Sequence, residues 1–197
     1  MEKYKIAVLG LMGSGRSSIT LRYLKKEFYG ETDPTIEEEY ETTVTIDDQD
    51  IGLTILDNAG GEELSYSLKE YFQNGHGIII VFSLTNMTSF LNCESYIRLF
   101  ESVTNRDAKD HPILLLGNKK DLEEKRCVPV EKTKDFQKRI KAHYWEVSAL
   151  TGENVDQAIN EFVKAIRNQY TEKDKQGYQK NNAKKSKFKR IFSRKKK

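Results

Sequence analysis

A glycine-rich stretch near the start of the chain has the spacing of a phosphate-binding loop. Residues 10–17 read GLMGSGRS, and they fill every required position but one of the pattern G-x-x-x-x-G-K-[S/T]. In such a loop the backbone N–H groups surround phosphate oxygens, and the N-terminus of the next helix adds a favourable dipole. The exception is Arg16, which keeps the positive charge of the usual lysine but is larger and planar. The stretch predicts a phosphate site with altered chemistry, or else a simple strand-to-helix turn.

A carboxylate at the end of an apolar run is the second candidate for chemistry. Asp57 begins the stretch DNAGGEE, residues 57–63. A buried carboxylate is costly unless it meets a cation, and oxygen atoms are the ligands that Mg²⁺ prefers. We therefore predict a magnesium site that uses Asp57 and the Ser17 hydroxyl, with the N–H of Gly60 facing a terminal phosphate. The alternative is a surface turn.

Two further stretches have the groups to recognise a guanine base. In NKKD, residues 118–121, Asp121 can accept two hydrogen bonds, from the N1–H and the exocyclic amine of guanine. Adenine lacks that donor pair, and leaving buried polar groups unpaired is a strong source of selectivity. In SAL, residues 148–150, the N–H of Ala149 would meet the guanine carbonyl. Each stretch alone is also typical of an ordinary loop.

The elements that must position these residues are predicted from hydrophobic periodicity. Short apolar runs predict strands over residues 3–10, 40–46, 51–57, 77–84, 112–118 and 143–149. The second and third strands form a hairpin through residues 47–50. A first helix runs to about residue 26, and apolar residues at helical spacing predict two more, over residues 90–103 and 155–166.

This alternation of strands and helices predicts the fold class. It gives an open, mainly parallel α/β sheet with helices on both faces. Ligands of such sheets bind at the carboxyl ends of the strands. The first, third, fifth and last predicted strands end at Gly10, Asp57, Asn118 and Ser148, so the four stretches are expected to meet at one edge.

Taken together, the chain resembles a Ras-family small GTPase from about residue 3 to residue 170. The matching pieces are GLMGSGRS, Phe28, DPTIEEEY (residues 33–40), DNAGGEE, NKKD and SAL. The resemblance implies a P-loop small G domain over residues 1–170, with a six-stranded, mainly parallel sheet, one antiparallel hairpin and helices on both faces. It implies a GTP/GDP-binding molecular switch in signal transduction that hydrolyses GTP to GDP and phosphate.

The resemblance also implies a set of site residues, with GTP or GDP and Mg²⁺ as cofactors. Phe28 would stack on guanine, Lys119 would lie over the base, and Thr35 would close the first switch loop on Mg²⁺ and the γ-phosphate. The metal ligands would be Ser17, Thr35 and Asp57, and the catalytic positions Arg16, Thr35 and Gly60. The implied nucleotide-binding residues are Gly13, Ser14, Gly15, Arg16, Ser17, Ser18, Phe28, Thr35, Gly60, Asn118, Lys119, Asp121, Ser148, Ala149 and Leu150.

Three of the positions that depart from the family pattern fall on the catalytic apparatus; Thr32 and Asn58 depart from it as well. Gly61 stands where the family usually has the glutamine that orients the attacking water, and Met12 stands where a glycine leaves room for an activating protein's arginine. That arginine contributes about 10³–10⁵ in rate. With Arg16, these changes predict slow hydrolysis. Nucleotide binding is expected to be retained, because the other site residues are all present: Ser17, Thr35, Asp57, Asn118 and Asp121. The alternative is a non-hydrolysing pseudo-GTPase scaffold in which the bulk of Arg16 weakens or abolishes nucleotide binding.

The resemblance implies protein partners that bind the GTP-loaded switch or change its bound nucleotide. Effectors would bind residues 33–40 and the segment after Asp57, and an exchange factor and an activating protein would act on the same switch. The acidic run Glu37-Glu38-Glu39 predicts a basic surface on the effector.

The charge of the 197-residue chain is unevenly distributed. Residues 173–197 hold twelve of the 33 basic residues and one of the 30 acidic residues, a net charge of +11, which leaves residues 1–172 at −8. Residues 171–197 are predicted to be a disordered basic tail. Near its end Phe188, Ile191 and Phe192 share one helical face among basic residues, a pattern typical of segments that bind an anionic membrane or calmodulin. A merely solvated tail, a nuclear-localisation run and RNA binding are the alternatives, with nucleic acid the less expected partner.

Cysteine usage and the chain termini bear on localisation. Cys93 and Cys127 have no metal-like spacing and fit a reducing cytosol. We find no signal peptide and no membrane-spanning run. Glu2 follows the first methionine and Lys197 is the last residue, so this sequence carries no myristoylation or prenylation signal, although a lipidated extension is left open. We expect a cytoplasmic protein, peripheral at the inner face of a membrane through its tail.

Overall fold

The computed structural model describes residues 1–30, 37–58 and 65–171. The strands are β1 (Glu2–Leu9), β2 (Glu38–Ile46), β3 (Gln49–Asp57), β4 (Gly77–Ser83), β5 (Ile113–Asn118) and β6 (His143–Glu146). The helices are α1 (Arg16–Lys25), α2 (Tyr66–Asn74), α3 (Met87–Thr104) and α4 (Val130–Ile140), followed by α5 over residues 155–171. Short 3₁₀ helices span Ala108–Asp110 and Lys120–Lys125.

The strands form one six-stranded sheet in the order β2-β3-β1-β4-β5-β6. Strands β2 and β3 are antiparallel, and every other neighbouring pair is parallel. The predicted α/β fold with one antiparallel hairpin is therefore confirmed. Because β1, β3, β5 and β6 run in the same direction, their carboxyl ends meet at one edge, where the four candidate stretches begin.

The core lies on both faces of the central strands. In β1, Ile6 and Val8 alternate with Ala7 and Leu9, and all four are buried, as expected where successive side chains point to opposite faces. Helices α2, α3 and α4 pack on the face of Ala7 and Leu9 in one apolar cluster. Helix α1 contacts β1 and β3. Burial on both faces explains why the sequence shows continuous apolar runs.

The strand boundaries differ from the sequence predictions by one to three residues, most clearly at the hairpin turn and at the end of the last strand. The hairpin turn is shorter than residues 47–50, because Gln49 and Asp50 already pair with Ile46 and Thr45 in the ladder. The turn consists of Asp47 and Asp48, with φ of 51° and 60°, the left-handed geometry that two-residue hairpins favour. The last strand ends at Glu146, so residues 147–149 lie in the loop that follows it.

The chain divides into two compact units, Met1–Phe162 and Val163–Lys197. The four candidate stretches all belong to the first unit. Within the described residues, none of the helices combines the length and the apolar character that crossing a membrane requires.

Candidate nucleotide-binding site

The phosphate-binding loop connects β1 to α1 in the geometry that an anion cradle needs. Gly13 and Gly15 have φ of 79° and 95°, in the left-handed region that glycine adopts at little cost. Gly15 is the N-cap of α1 and supplies no side-chain hydrogen bond to the first turn. The amides at that helix end therefore face the loop without a side-chain cap, as a phosphate-binding N-terminus requires.

The Arg16 side chain is buried within this loop rather than directed to solvent. It is 6% exposed, and its Nη1 donates a hydrogen bond to the carbonyl oxygen of Gly10. Its Nε lies 3.8 Å from Oδ1 of Asp57, which is within ion-pair distance but beyond a hydrogen bond. Burial lowers the pKa of Arg16, and the nearby Asp57 carboxylate opposes that shift. The guanidinium thus joins the start of the loop to the end of β3.

Asp57 presents a buried carboxylate at the predicted metal position. Its exposed fraction is 0%, and neither oxygen has a hydrogen-bond partner of ordinary geometry within the described residues. Burial raises its pKa, while the neighbouring Ser17 hydroxyl and the Arg16 guanidinium lower it. A buried hydroxyl beside a buried carboxylate with free acceptor capacity fits the oxygen chemistry of Mg²⁺. Clusters of three or more His, Cys, Asp or Glu suited to a metal are absent from the described part of the chain.

Asn118 connects the phosphate loop to the loop after β6. Its Nδ2 donates to the carbonyl oxygen of Ser14 at 3.0 Å, and its Oδ1 accepts from the backbone N–H of Ala149 at 3.1 Å. Asn118 is 2% exposed, so both bonds lie where an unpaired polar group would be costly. In this structure the Ala149 N–H, predicted to face a guanine carbonyl, is directed to Asn118.

Asp121 and Ser148 join the segment after β5 to the loop after β6. The Ser148 hydroxyl donates to Oδ1 of Asp121 at 2.5 Å and accepts from the N–H of Thr151 at 3.1 Å. Asp121 is exposed and Ser148 is fully buried, so the carboxylate is anchored on one side and open on the other. A carboxylate held in this way is positioned to accept hydrogen bonds from a base.

Sequence reasoning missed an ion-pair network that supports these loops. Arg126 follows the 3₁₀ helix Lys120–Lys125 and donates to both oxygens of Glu123, at 2.6 and 2.7 Å. It also donates to both oxygens of Glu146 in β6, at 3.0 and 2.6 Å. The hydrogen bonds that Arg126 donates to Glu123 and Glu146 raise its pKa. The i, i+3 spacing of Glu123 and Arg126 could have indicated the first pair, but the contact with Glu146 has no sequence signature.

The remaining predicted residues lie around this framework. Phe28 is 39% exposed, which leaves a ring face accessible for stacking. Lys119 is half-buried with a left-handed φ of 68°, Ser18 is half-buried in α1, and Leu150 is exposed. Thr35, Gly60 and Gly61 fall outside the described residues, as does the tail from residue 172.

Comparison with known proteins identifies the family. The family model described as Ras family matches residues 5–168. The chain belongs to the Ras family. Ras-like protein RAS2 of Hydra vulgaris is 38% identical over 167 residues, 85% of this chain and 86% of the relative. Ras-like protein 2 of Drosophila melanogaster is 37% identical over 85% of this chain and 86% of the relative. Ras-related protein R-Ras of Homo sapiens is 36% identical over 84% of this chain and 75% of the relative.

The match covers all four stretches of this Ras-family protein, and the resemblance drawn from the sequence is confirmed. As a member of the Ras family the chain is a small GTPase and a signalling switch. Proteins of this family generally bind guanine nucleotide with Mg²⁺ and interact with effectors and exchange factors.

Proposed function

We propose that this Ras-family protein binds GTP and GDP at the four loops and hydrolyses GTP slowly. The observation that carries the proposal is the pair of hydrogen bonds made by Asn118, which joins the phosphate loop to the loop after β6. A buried asparagine that bonds to both loops fixes their relative position, which a ligand that spans the two loops requires. The guanine and phosphate halves of the site are therefore aligned before a ligand binds.

The base selectivity of the proposed site comes from Asp121. Its carboxylate is held on one side by Ser148 and would accept from the N1–H and the exocyclic amine of guanine. Phe28 would stack on the ring, and Lys119 would lie over it. A site built around a hydrogen-bond acceptor rejects a base that lacks the matching donors, so guanine nucleotides are the expected ligands.

The phosphates would be held by the loop and by Arg16. Backbone N–H groups of residues 13–18 would donate to the phosphate oxygens, with the α1 N-terminus adding its dipole. Ser17, Asp57 and Thr35 would hold Mg²⁺, which when bound neutralises charge on the β- and γ-phosphate oxygens. The N–H of Gly60 would bind the γ-phosphate. GTP would therefore stabilise the ordered switch more than GDP does.

Slow hydrolysis follows from two departures from the family pattern, Gly61 and Met12. Gly61 has no side chain with which to orient an attacking water. Met12 lies in the phosphate loop and is 75% exposed, so its side chain would occupy space that an activating protein's arginine needs. That arginine supplies about 10³–10⁵ in rate. Both changes favour a protein that stays loaded with GTP.

The nucleotide carried by the purified protein tests this proposal. We would purify the full chain in Mg²⁺, denature it and chromatograph the released nucleotide. Mostly GTP would support binding with slow hydrolysis, and mostly GDP would contradict the slow hydrolysis. An empty site would favour the scaffold, a candidate supported by the engagement of Arg16 with Gly10 and Asp57, since a guanidinium held there has less charge to offer a phosphate.

The proposed effector surface includes β2 and the start of α2. Ser65 caps α2 by accepting from the N–H of Leu68 at 3.0 Å, and it donates to Glu37 at 3.0 Å. Tyr71 in α2 donates to Glu39 at 2.7 Å. These bonds join the two segments that the sequence predicts as the switch surface. The carboxylates of Glu37 and Glu39 favour a partner with a basic surface.

We also propose that the basic tail attaches the protein to anionic membrane. Each Lys or Arg near an anionic leaflet contributes about 1 kcal/mol, and nine lie from Lys184 onward. Sedimentation with phosphatidylserine-containing vesicles, compared with phosphatidylcholine alone, tests this. Binding should require the anionic lipid and disappear when residues 172–197 are removed. Equal binding to both vesicles would count against it.

A further inference from the structure

Arg16 and Asp57 form a buried ion pair at the place where the metal site is expected. Arg16 Nε lies 3.8 Å from Oδ1 of Asp57, and the two side chains are only 7% and 0% exposed. The guanidinium is fixed at its other end by the Gly10 carbonyl. A charge pair this buried is weakly screened by solvent, so each group strongly affects what else can bind beside it.

The planar shape of arginine makes this arrangement possible. Separate nitrogens of one guanidinium reach Gly10 and Asp57 at the same time. A lysine has a single terminal nitrogen and cannot engage two partners on opposite sides with different atoms. The simultaneous contact with Gly10 and Asp57 through separate nitrogens is therefore a property of arginine at position 16, and it sets this chain apart from the G-K-[S/T] pattern.

We propose that Arg16 is a built-in counter-ion for Asp57 that competes with Mg²⁺ for that carboxylate, so that nucleotide binding depends only weakly on the metal. This rests on the proposed nucleotide binding and specifies its metal dependence. A divalent cation at Asp57 and Ser17 would lie beside the guanidinium and be repelled by it. When the metal is withdrawn, Asp57 keeps the Arg16 guanidinium as its partner. The nucleotide-bound state should therefore lose less stabilisation than in a protein with lysine at position 16.

The test compares nucleotide release with and without metal. A fluorescent GDP analogue is loaded on the full chain, and its dissociation rate is measured in Mg²⁺ and in excess EDTA. The ratio of the two rates should be about tenfold smaller for the native protein than for Arg16→Lys, within the usual range of coupled binding equilibria. The matched control is Arg98→Lys in α3, an exposed arginine paired with Glu94, whose ratio should equal the native one. Equal ratios for native and Arg16→Lys protein would overturn the proposal.

A second measurement tests the Arg16–Asp57 ion pair in the absence of nucleotide, so that failure of this inference can be distinguished from failure of the proposed function. If the native protein binds no GDP analogue with or without Mg²⁺, the proposed function fails, and the ion pair is tested on nucleotide-free protein. Thermal unfolding in EDTA is compared for native, Arg16→Met, Asp57→Asn and the double variant. The double variant should be more stable than the sum of the stability losses of the two single variants predicts. Removing either partner alone leaves the other charge buried without a counter-ion. Additive losses would overturn the proposal.

Discussion

The α-carbon of Gly15 faces the side-chain amide of Asn118 so closely that a methyl group on it would lie 2.1 Å from Nδ2. Side-chain atoms do not approach that closely, and the amide is held by Ser14 and Ala149. The absence of a side chain at Gly15 is therefore what lets the phosphate loop pack against the guanine loop. Gly13 has a similar φ, but a methyl group there would meet nothing within 4 Å.

Substituting Gly13 and Gly15 distinguishes the cost of backbone strain from the cost of disturbing the contact with Asn118. Gly13→Ala should lower the free energy of unfolding by about 1–2 kcal/mol, because alanine must adopt a left-handed φ. Gly15→Ala should cost a further ~1–3 kcal/mol, because Asn118 must be displaced. Chemical denaturation of nucleotide-free protein measures both. Equal losses would contradict the role assigned to the Gly15–Asn118 contact.

Removing the Asp121 carboxylate should reduce guanine-nucleotide affinity. Asp121→Ala loses two charge-assisted hydrogen bonds to the base, and we expect GDP affinity to fall by about a hundredfold or more. The control is Glu124→Ala, another exposed carboxylate of the same 3₁₀ helix, which should leave affinity unchanged. Equilibrium titration with a fluorescent GDP analogue makes the comparison. Unchanged binding by Asp121→Ala would refute the assignment of the base site.

A glutamine at position 61 should restore part of the hydrolysis rate. Gly61→Gln supplies an amide that can orient the attacking water, and we expect single-turnover phosphate release to rise by about tenfold or more. Gly61→Ala restricts the backbone similarly but brings no amide, and its rate should stay at the native level. If both variants hydrolyse GTP at the same rate, the missing glutamine is not what limits this protein.

The Arg126 network should make stability depend on acid pH. Burial alone would raise the pKa of Glu146, but hydrogen bonds from Arg126 and then Tyr144 lower it overall. Since the folded pKa lies below the unfolded value of about 4.3, the stabilisation is complete above that pH and is lost as the pH falls through the folded pKa.

Arg126→Met is the variant that tests this dependence. It should lower the free energy of unfolding by about 1–3 kcal/mol at pH 7, because the part-buried Glu146 loses its guanidinium partner and keeps only the hydrogen bond from Tyr144. The difference from the native protein should shrink below about pH 4. Denaturant titrations at several pH values measure it. A constant difference across the range would exclude Glu146 as the titrating partner.

Much of this fold is predictable because buried parallel strands produce apolar runs that are easy to read. Helix α4 was not predicted, since VEKTKDFQKRI buries only Thr133, Phe136 and Ile140 and carries mostly charged residues. Its apolar stripe is too sparse to stand out from a loop.

Some residues of the candidate site can be predicted from the sequence, whereas the contacts of others cannot. The loop glycines and the Asn118 and Asp121 positions follow from motif spacing, because they sit where strands end. The partners of Arg16 and Arg126 do not, because each ion pair joins segments whose approach is set by the tertiary fold. Asp57 lies 41 positions from Arg16 in sequence, and no periodicity connects them.

The position of β2 at one edge of the sheet has a consequence for how copies of this protein behave in solution. An edge strand invites pairing with another copy, which is a route to aggregation. Here β2 carries Glu38, Glu39 and Glu41, so two edges approaching each other would bring like charges together. Acidification or high salt would remove this protection, and edge-to-edge pairing through β2 should therefore be weakest near neutral pH at low ionic strength.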